Sequence, residues 1–260
     1  MIRREKNGVV WFEFENLAEH NIRHCFTTRI GGVSNDGYSS LNLGFYNGDD
    51  INNIHENFLR TCNTIGFDPT RVVLSNQMHG THIEKIQEKR DVEKTDGLVT
   101  DVVGITLATY YADCVPILLY DPINRAVANA HAGWRGVAAD MPSEAVKAMT
   151  KFYKTNPNDL LAGIAPSISA KYFEVGADVA EIFKKSLPFS SNFVYNSASV
   201  QNKFHIDLWG VCRESLINAG LAPQNIEIAN LCTYERDDLF FSHRRSQGAP
   251  RGNMLAMIQL

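Results

Sequence analysis

The chain has 260 residues, 44% of them hydrophobic, and a formal net charge of -4 at pH 7. This length and composition suffice for a sizeable core, and the mildly acidic balance, without any long basic run, disfavours a nucleic acid or a membrane surface as a partner. No apolar run reaches the roughly 18 residues of a spanning helix, the N-terminus lacks a signal-peptide pattern, and the scattered cysteines form no CxxC pair, so we expect a cytoplasmic protein with reduced thiols.

Strands and helices alternate along the whole chain. Segments rich in β-branched and aromatic residues predict strands at 9–15, 22–29, 72–78, 82–87, 104–111, 115–121, 126–132, 160–166, 226–231 and 253–260. Apolar residues at helical spacing predict helices at 53–65, 142–154, 176–187 and 206–220. We interpret 72–78 and 82–87 as a strand pair around His79 and Gly80.

This order contains no repeat, no low-complexity segment and no linker, and it predicts one mixed αβ domain of the α+β class over residues 1–260. The nearly continuous apolar strands 115–121 and 126–132 indicate central strands of a mixed β-sheet that is covered by helices. Residues 30–50 are rich in Gly, Ser, Asn and Asp and are too long for a plain connector, which is typical of a functional loop.

Three reactive residues lie at or near predicted strand ends, where side chains can converge on one crevice: His79, Cys114 and His131. Taken singly, each is more typical of a buried or hydrogen-bonded structural residue. Together, two imidazoles and a thiolate suit Zn²⁺, with a fourth position left for water. Cu²⁺ is the weaker interpretation, because a type 1 copper site would add an axial methionine and Met78 adjoins His79. Cys114 as a nucleophile with a histidine base remains open.

Charged and polar neighbours supply further candidates. Asp113, between YYA and CVPILL, is either a turn residue or an acid, base or ligand-orienting group. Arg135, between glycines in HAGWRG, makes a salt bridge or binds an anion. The segment FFSHRRSQGAPRG (240–252) is either a solvated face or an anion-binding loop, with His243, Arg244, Arg245 and Arg251 as its basic residues. Candidates elsewhere are Arg29, Asn42 and Gln77.

Ordered motifs carry a resemblance over almost the whole chain. The chain resembles the YfiH-type laccase-domain proteins in five motifs that occur in the same order: NQMHG, TDGLVT, ADCVPILL, HAGWRG and LFFSHRR. Two further motifs, TTRIGGVS and SLNLG, precede them, and APSI and YFEVG lie between HAGWRG and LFFSHRR. The resemblance implies a fold like that of YfiH and of the cytotoxic necrotizing factors. It also implies that His79, Cys114 and His131 bind a catalytic zinc ion.

The same resemblance implies phosphorolysis of adenosine, inosine and S-methyl-5′-thioadenosine, together with adenosine deaminase activity. Its partners would be purine nucleosides and phosphate, without nucleic acid or membrane, and the protein would be a monomer or homodimer. On this basis we expect Asp113, Cys114 and Arg135 to be catalytic, and we expect substrate or phosphate to contact Arg29, Asn42, Gln77, Arg244 and Arg245.

Two other activities stay open. The first is a copper polyphenol oxidase, the family's older label. A multicopper oxidase needs several histidine clusters, and this chain has eight histidines and no HxH pair. The second is a metal-free Cys-His hydrolase or amidase that acts on cell-wall precursors, with Cys114 as the nucleophile.

Overall fold

The computed structural model describes residues 1–198 and 200–260 and forms two six-stranded sheets, one three-stranded sheet and surrounding helices. The strands are β1 (Ile2–Lys6), β2 (Val9–Glu13), β3 (Arg23–Thr27), β4 (Val72–Leu74), β5 (Ile83–Lys85), β6 (Gly97–Thr100), β7 (Thr106–Tyr111), β8 (Val115–Asp121), β9 (Ala126–Ala132), β10 (Leu161–Ile164), β11 (Glu174–Gly176), β12 (Val194–Asn196), β13 (Lys203–Ile206), β14 (Ile226–Ile228) and β15 (Met254–Gln259). The α-helices are α1 (Glu15–Ala18), α2 (Ile51–Ile65), α3 (Trp134–Ala138), α4 (Met141–Tyr153), α5 (Ala177–Ser186), α6 (Leu208–Asn218) and α7 (His243–Ser246).

Both large sheets are mixed. The first has the order β1-β2-β3-β15-β7-β4 and is antiparallel except for the β7–β4 pair. The second has the order β14-β10-β8-β9-β6-β5, with antiparallel pairs in its centre and a parallel pair at each edge. A small antiparallel sheet, β11-β13-β12, lies beside α5.

The two large sheets pack face to face, and helices cover their outer faces. Successive side chains of a strand point to opposite faces. In β8, Leu118 and Tyr120 therefore pack against the first sheet, whereas Ile117 and Leu119 pack against the α4 and α6 layer. Helix α2 covers the far side of the first sheet. The predicted mixed αβ fold is confirmed, with its strands divided between two sheets.

All four predicted helices are confirmed within two residues at each end. Helix α2 shows which local signals mark the two ends of a helix. The Asp50 side chain accepts the N–H of Asn52 at its start, and Gly66 ends the helix with a left-handed φ of 97°. No helix within the described part of the chain is long and apolar enough to cross a membrane.

The predicted strand pair around His79 is wrong. Strand β4 pairs with β7 in the first sheet, and β5 pairs with β6 in the second. The chain between them crosses from one sheet to the other instead of turning back in a hairpin. This crossing is held by the Asp96 carboxylate, which accepts the main-chain N–H groups of Met78, His79 and Gly80 at 3.1, 2.9 and 2.8 Å.

Candidate metal centre and active site

Three side chains predicted to bind metal meet where the two sheets meet the crossing segment. The ligand atoms of His79, Cys114 and His131 all lie within 4.8 Å of one another. His131 is buried, Cys114 is half-buried and His79 is exposed. An N, S, N donor set of this size could hold a metal ion and leaves one face open to solvent.

Side chains of β9 point alternately to its two faces, and this alternation places His131 between the two large sheets. Ala128, Ala130 and Ala132 face the helices. Asn129 and His131 therefore face the space between the sheets. Asn129 bridges the two sheets, because its Nδ2 donates to the main-chain oxygens of Leu107 and Ala256 at 3.0 and 2.8 Å. His131 is the next residue on that face, at the end of the strand.

Backbone conformation brings the other two ligands to His131. His79 has a φ of 61°, a left-handed conformation that the Asp96 contacts stabilise. Gly133 lets the chain after β9 pass the site. A Cβ atom at this position would lie 2.6 Å from His79 Cδ2 and 3.4 Å from Cys114 Sγ. Glycine is therefore required here by close approach.

Asp96 belongs to the candidate site, although the sequence alone did not identify it. His131 Nδ1 lies 2.9 Å from Asp96 Oδ1, and donation through Nδ1 leaves Nε2 for a metal ion. Burial raises the pKa of Asp96, but hydrogen bonds from His131 and Gly80 outweigh it and lower the pKa below its ordinary value. The sequence offers one signal, an acidic residue between Thr95 and Gly97 at the start of a buried strand.

Cys114 and His131 stabilise each other's charged forms. Burial raises the pKa of the Cys114 thiol, but the imidazoles of His131 and His79 outweigh burial and lower it. Burial lowers the pKa of His131, but Cys114 and Asp96 outweigh burial and raise it. These contacts favour a thiolate beside an imidazolium, which suits either metal ligation or nucleophilic chemistry.

Asp113 does not point a free carboxylate at the trio. Its oxygens accept hydrogen bonds from Thr233 Oγ1 at 2.7 Å, Ser242 Oγ at 2.9 Å and the Arg244 N–H at 2.7 Å. Asp113 is buried and has a φ of 87°. It thereby ties the β7–β8 turn, which carries Cys114, to the first turn of α7.

Four of the predicted substrate-binding residues are engaged with main chain. Arg29 donates to the carbonyls of Ser39 and Asp237, Arg244 to those of Tyr172 and Glu174, and Arg245 to those of Thr233, Tyr234 and Phe240. Gln77 exchanges hydrogen bonds with the main chain of Tyr110 at 2.7 and 2.9 Å. These contacts give each of the four a structural role.

Asn42 also has a structural role, in the loop at 30–50. The side chain is fully buried, and its Oδ1 accepts the main-chain N–H groups of Gly44 and Asn253, each at 2.9 Å. Its Nδ2 donates to Asp49 at 2.9 Å. Asn42 thus shapes the wall formed by residues 44–47 without lining a cavity itself.

Arg135 differs from the other predicted arginines. Its guanidinium carbon lies 4.2 Å from the centre of the Trp134 ring, and it has no hydrogen-bond or ion-pair partner within residues 1–198 and 200–260. The side chain is exposed and lines a cavity beside the trio. Arg135 is therefore available to a ligand.

Two cavities meet at the trio. The smaller one, of about 340 Å³, is lined by Gly44, Phe45, Tyr46, Asn47, Ser75, Asn76, Gln77, His79, Tyr110, Ala112, Cys114, His131, Arg251 and Asn253. The larger one, of about 560 Å³, is lined by His79, Ala112, Asp113, Cys114, Trp134, Arg135, Ile168, Phe173, Glu174, Val175, Gly176, Asp178, Val179, Lys203, Leu208, His243 and Arg244. His79 and Cys114 line both cavities. The trio therefore lies between two recesses, and a ligand can approach it from either one.

Comparisons with known proteins give the family. Residues 23–260 match the family described as multi-copper polyphenol oxidoreductase laccase. A purine nucleoside phosphorylase of Bacteroides thetaiotaomicron is 34% identical over 258 residues, covering 95% of each chain. The purine nucleoside phosphorylase YfiH of Escherichia coli is 34% identical over 238 residues, covering 91% of this chain and 93% of its own.

A solved structure gives the same result for the fold. The crystal structure of Bacillus licheniformis hypothetical protein YfiH superposes with a TM-score of 0.92 at 29% identity, covering 99% of this chain and 98% of that one. Its match extends over both large sheets and their helices. The chain therefore belongs to the YfiH-type laccase-domain family, which includes proteins named purine nucleoside phosphorylase.

Proposed function

We propose that this chain is a zinc-dependent purine nucleoside phosphorylase that cleaves adenosine, inosine and S-methyl-5′-thioadenosine and also deaminates adenosine. It would act in the cytoplasm as a monomer or homodimer. The observation that carries the proposal is the meeting of two cavities at the trio. In phosphorolysis, a phosphate oxygen bonds to the anomeric carbon on one face of the ribose while the purine leaves from the other. Two recesses flanking one reactive centre suit this displacement.

The trio fits zinc by the chemistry of its donors. Two imidazole nitrogens and one thiolate are common zinc ligands, and three protein ligands are typical of a catalytic rather than a structural site. Asp96 orients His131 as the outer carboxylates of zinc sites do. A zinc ion bound here would supply positive charge for Lewis-acid catalysis.

The larger cavity suits the nucleoside. Phe173 and Trp134 offer aromatic surface to a purine and a ribose. Asp178 has a carboxylate without a hydrogen-bond or ion-pair partner in the described ranges, and carboxylates accept hydrogen bonds from ribose hydroxyls. We assign to Arg135 the stabilisation of negative charge on the departing purine, because its guanidinium is unpaired among the described residues and lines the same cavity.

The two alternative activities have less support. A multicopper oxidase requires several copper centres, and among residues 1–198 and 200–260 one group of three His, Cys, Asp or Glu residues is arranged for a metal ion. A metal-free Cys-His hydrolase is favoured by one observation, the position of the Cys114 thiol within 4.8 Å of the His79 and His131 imidazoles, which lower its pKa. The names of the relatives favour phosphorolysis over that chemistry.

An assay of base release tests the proposal. Inosine and adenosine are incubated with the protein as purified, with and without inorganic phosphate, and purine base, ribose 1-phosphate and inosine are separated by chromatography. The proposal predicts base and ribose 1-phosphate only when phosphate is present, and inosine from adenosine in both conditions. Base release at the same rate without phosphate would instead indicate a hydrolase.

A further inference from the structure

We propose that the smaller cavity is an oxyanion subsite that binds the phosphate cosubstrate, with Arg251 as its cation and Asn76 and Tyr110 as neutral donors. This assignment rests on the proposed phosphorylase function, because it identifies where that reaction's nucleophile binds. It replaces the arginines at 29, 244 and 245 as the phosphate-binding residues.

The charges of the two cavities differ in the way this assignment requires. Apart from the trio, Arg251 is the one charged side chain among the described residues that line the smaller cavity, and no carboxylate lines it. The larger cavity is lined by as many carboxylates (Asp113, Glu174 and Asp178) as cations (Arg135, Lys203 and Arg244), so the two charges balance there. Phosphate carries about two negative charges at neutral pH and is repelled by carboxylates. The smaller cavity therefore favours the anion, and the larger one favours the neutral nucleoside.

Hydrogen bonds from one nitrogen of its guanidinium hold the Arg251 side chain in place. Nη1 donates to the Gly252 carbonyl at 3.0 Å and to Asn253 Oδ1 at 2.9 Å, which fixes the side chain half-buried in the cavity wall. Nε and Nη2 each lie 3.4 Å from His243 Nδ1, which is long for a hydrogen bond. Phosphate oxygens can replace these weak contacts with shorter, charge-assisted ones.

Two neutral donors complete the subsite. Neither the Asn76 amide nor the Tyr110 hydroxyl has a hydrogen-bond partner in the described ranges, and both residues line the cavity. The Tyr110 main chain is fixed by Gln77. One cation and two neutral donors would together suit the three oxygens that a bound phosphate presents.

The position of the subsite also suits the reaction. Cys114 and His79 line both cavities, and His131 lines the smaller one. An anion beside Arg251 would therefore reach the trio from the smaller cavity, whereas a nucleoside beside Trp134 would reach it from the larger one. Phosphate would approach the anomeric carbon from the side opposite to the purine.

Steady-state kinetics test the assignment with two variants. Arg251→Lys keeps a positive charge but loses the planar, forked donors, and Asn76→Ala removes an exposed amide that has no hydrogen-bond partner among the described residues. In the protein as purified, we expect each to raise the KM for inorganic phosphate about tenfold and to leave the KM for inosine within about twofold. Arg60→Lys is the matched control, because Arg60 is exposed and pairs with Glu56 on α2. An unchanged phosphate KM in both variants would overturn the assignment.

Calorimetric titration of inorganic phosphate separates this inference from the proposed function. If the wild-type protein releases no base but binds phosphate, and both variants weaken that binding about tenfold, the subsite stands and the phosphorylase function fails. If the wild-type protein phosphorolyses inosine but the variants bind phosphate as tightly as it does, the function stands and the subsite fails.

Discussion

His131 Nδ1 lies 2.9 Å from Asp96 Oδ1, and the same carboxylate accepts the main-chain N–H of His79. One buried side chain thus orients both histidines of the trio. It sets the tautomer of His131 and holds the left-handed turn of His79. The geometry of the candidate metal centre therefore depends on a residue that does not bind the metal.

Asp96→Asn tests this dependence. The amide would accept fewer main-chain N–H groups and could not stabilise the His131 ring through a charge. We expect zinc affinity, measured by competition with a chelating dye, to fall about 10- to 100-fold. Asp101→Asn is the control, since Asp101 is exposed and lies 3.9 Å from its Lys85 partner. Equal zinc affinity in Asp96→Asn and wild type would contradict the role given to Asp96.

Gly133→Ala tests the close approach of the chain to the trio. The added methyl group would lie 2.6 Å from His79 Cδ2, so the His79 ring must move away from residue 133 and out of its position in the trio. We predict loss of both zinc binding and base release with the fold retained by circular dichroism. In the control variant, Gly80→Ala, the new Cβ meets Asp96 Oδ2 at 3.5 Å, an ordinary contact. Zinc binding by Gly133→Ala at the wild-type level would show that the trio has more freedom than the structure indicates.

Cys114 should react as a thiolate near neutral pH once metal has been removed. The folded state lowers its pKa from the ordinary value to about 6, so its alkylation by iodoacetamide should be fast at pH 7 and slow as the pH falls through about 6. Burial raises the pKa of Cys25, Cys62 and Cys212, so these thiols should stay unmodified. The measurement is the alkylation rate by mass spectrometry, with Cys114→Ser as the control. A rate that rises only above pH 8 would refute the thiolate–imidazolium pair.

Asp113→Ala separates a positioning role from acid catalysis. The change leaves the Thr233 and Ser242 hydroxyls and the Arg244 N–H without their acceptor. Unsatisfied buried donors cost about 1–3 kcal/mol each, and partial rearrangement should leave a loss of about 2–4 kcal/mol in the free energy of unfolding, measured in urea. Residual activity should keep the wild-type pH profile. Loss of one limb of that profile at unchanged stability would instead identify Asp113 as the acid.

The hairpin of β8 and β9 and the four helices could be predicted because their signals are local. Continuous apolar runs in the strands, Asp121 at the turn and Gly66 at a helix end each act within a few residues. The meeting of Cys114 and His131 was predictable because Cys114 directly precedes β8, His131 lies near the end of β9, and antiparallel pairing places Val115 opposite Ala132.

The division into two sheets was not predictable from local pattern. Nothing in residues 72–87 distinguishes a hairpin from a crossing between sheets, because the deciding contact comes from Asp96, beyond both strands. The same limitation applies to the arginines. Arg29, Arg245 and Arg251 look equivalent in the sequence. Their roles differ because Arg29 and Arg245 donate to main-chain carbonyls distant in sequence, whereas Arg251 lines a cavity.

Titration of the metal-free protein with zinc, followed by the rate of phosphate-dependent base release from inosine, tests the central claim most directly. The account predicts a rate that rises linearly and stops at about one zinc ion per chain, and no rise in Cys114→Ala. Full base release from the metal-free protein, unchanged by added zinc, would contradict a zinc-dependent phosphorylase and favour Cys114 as the nucleophile.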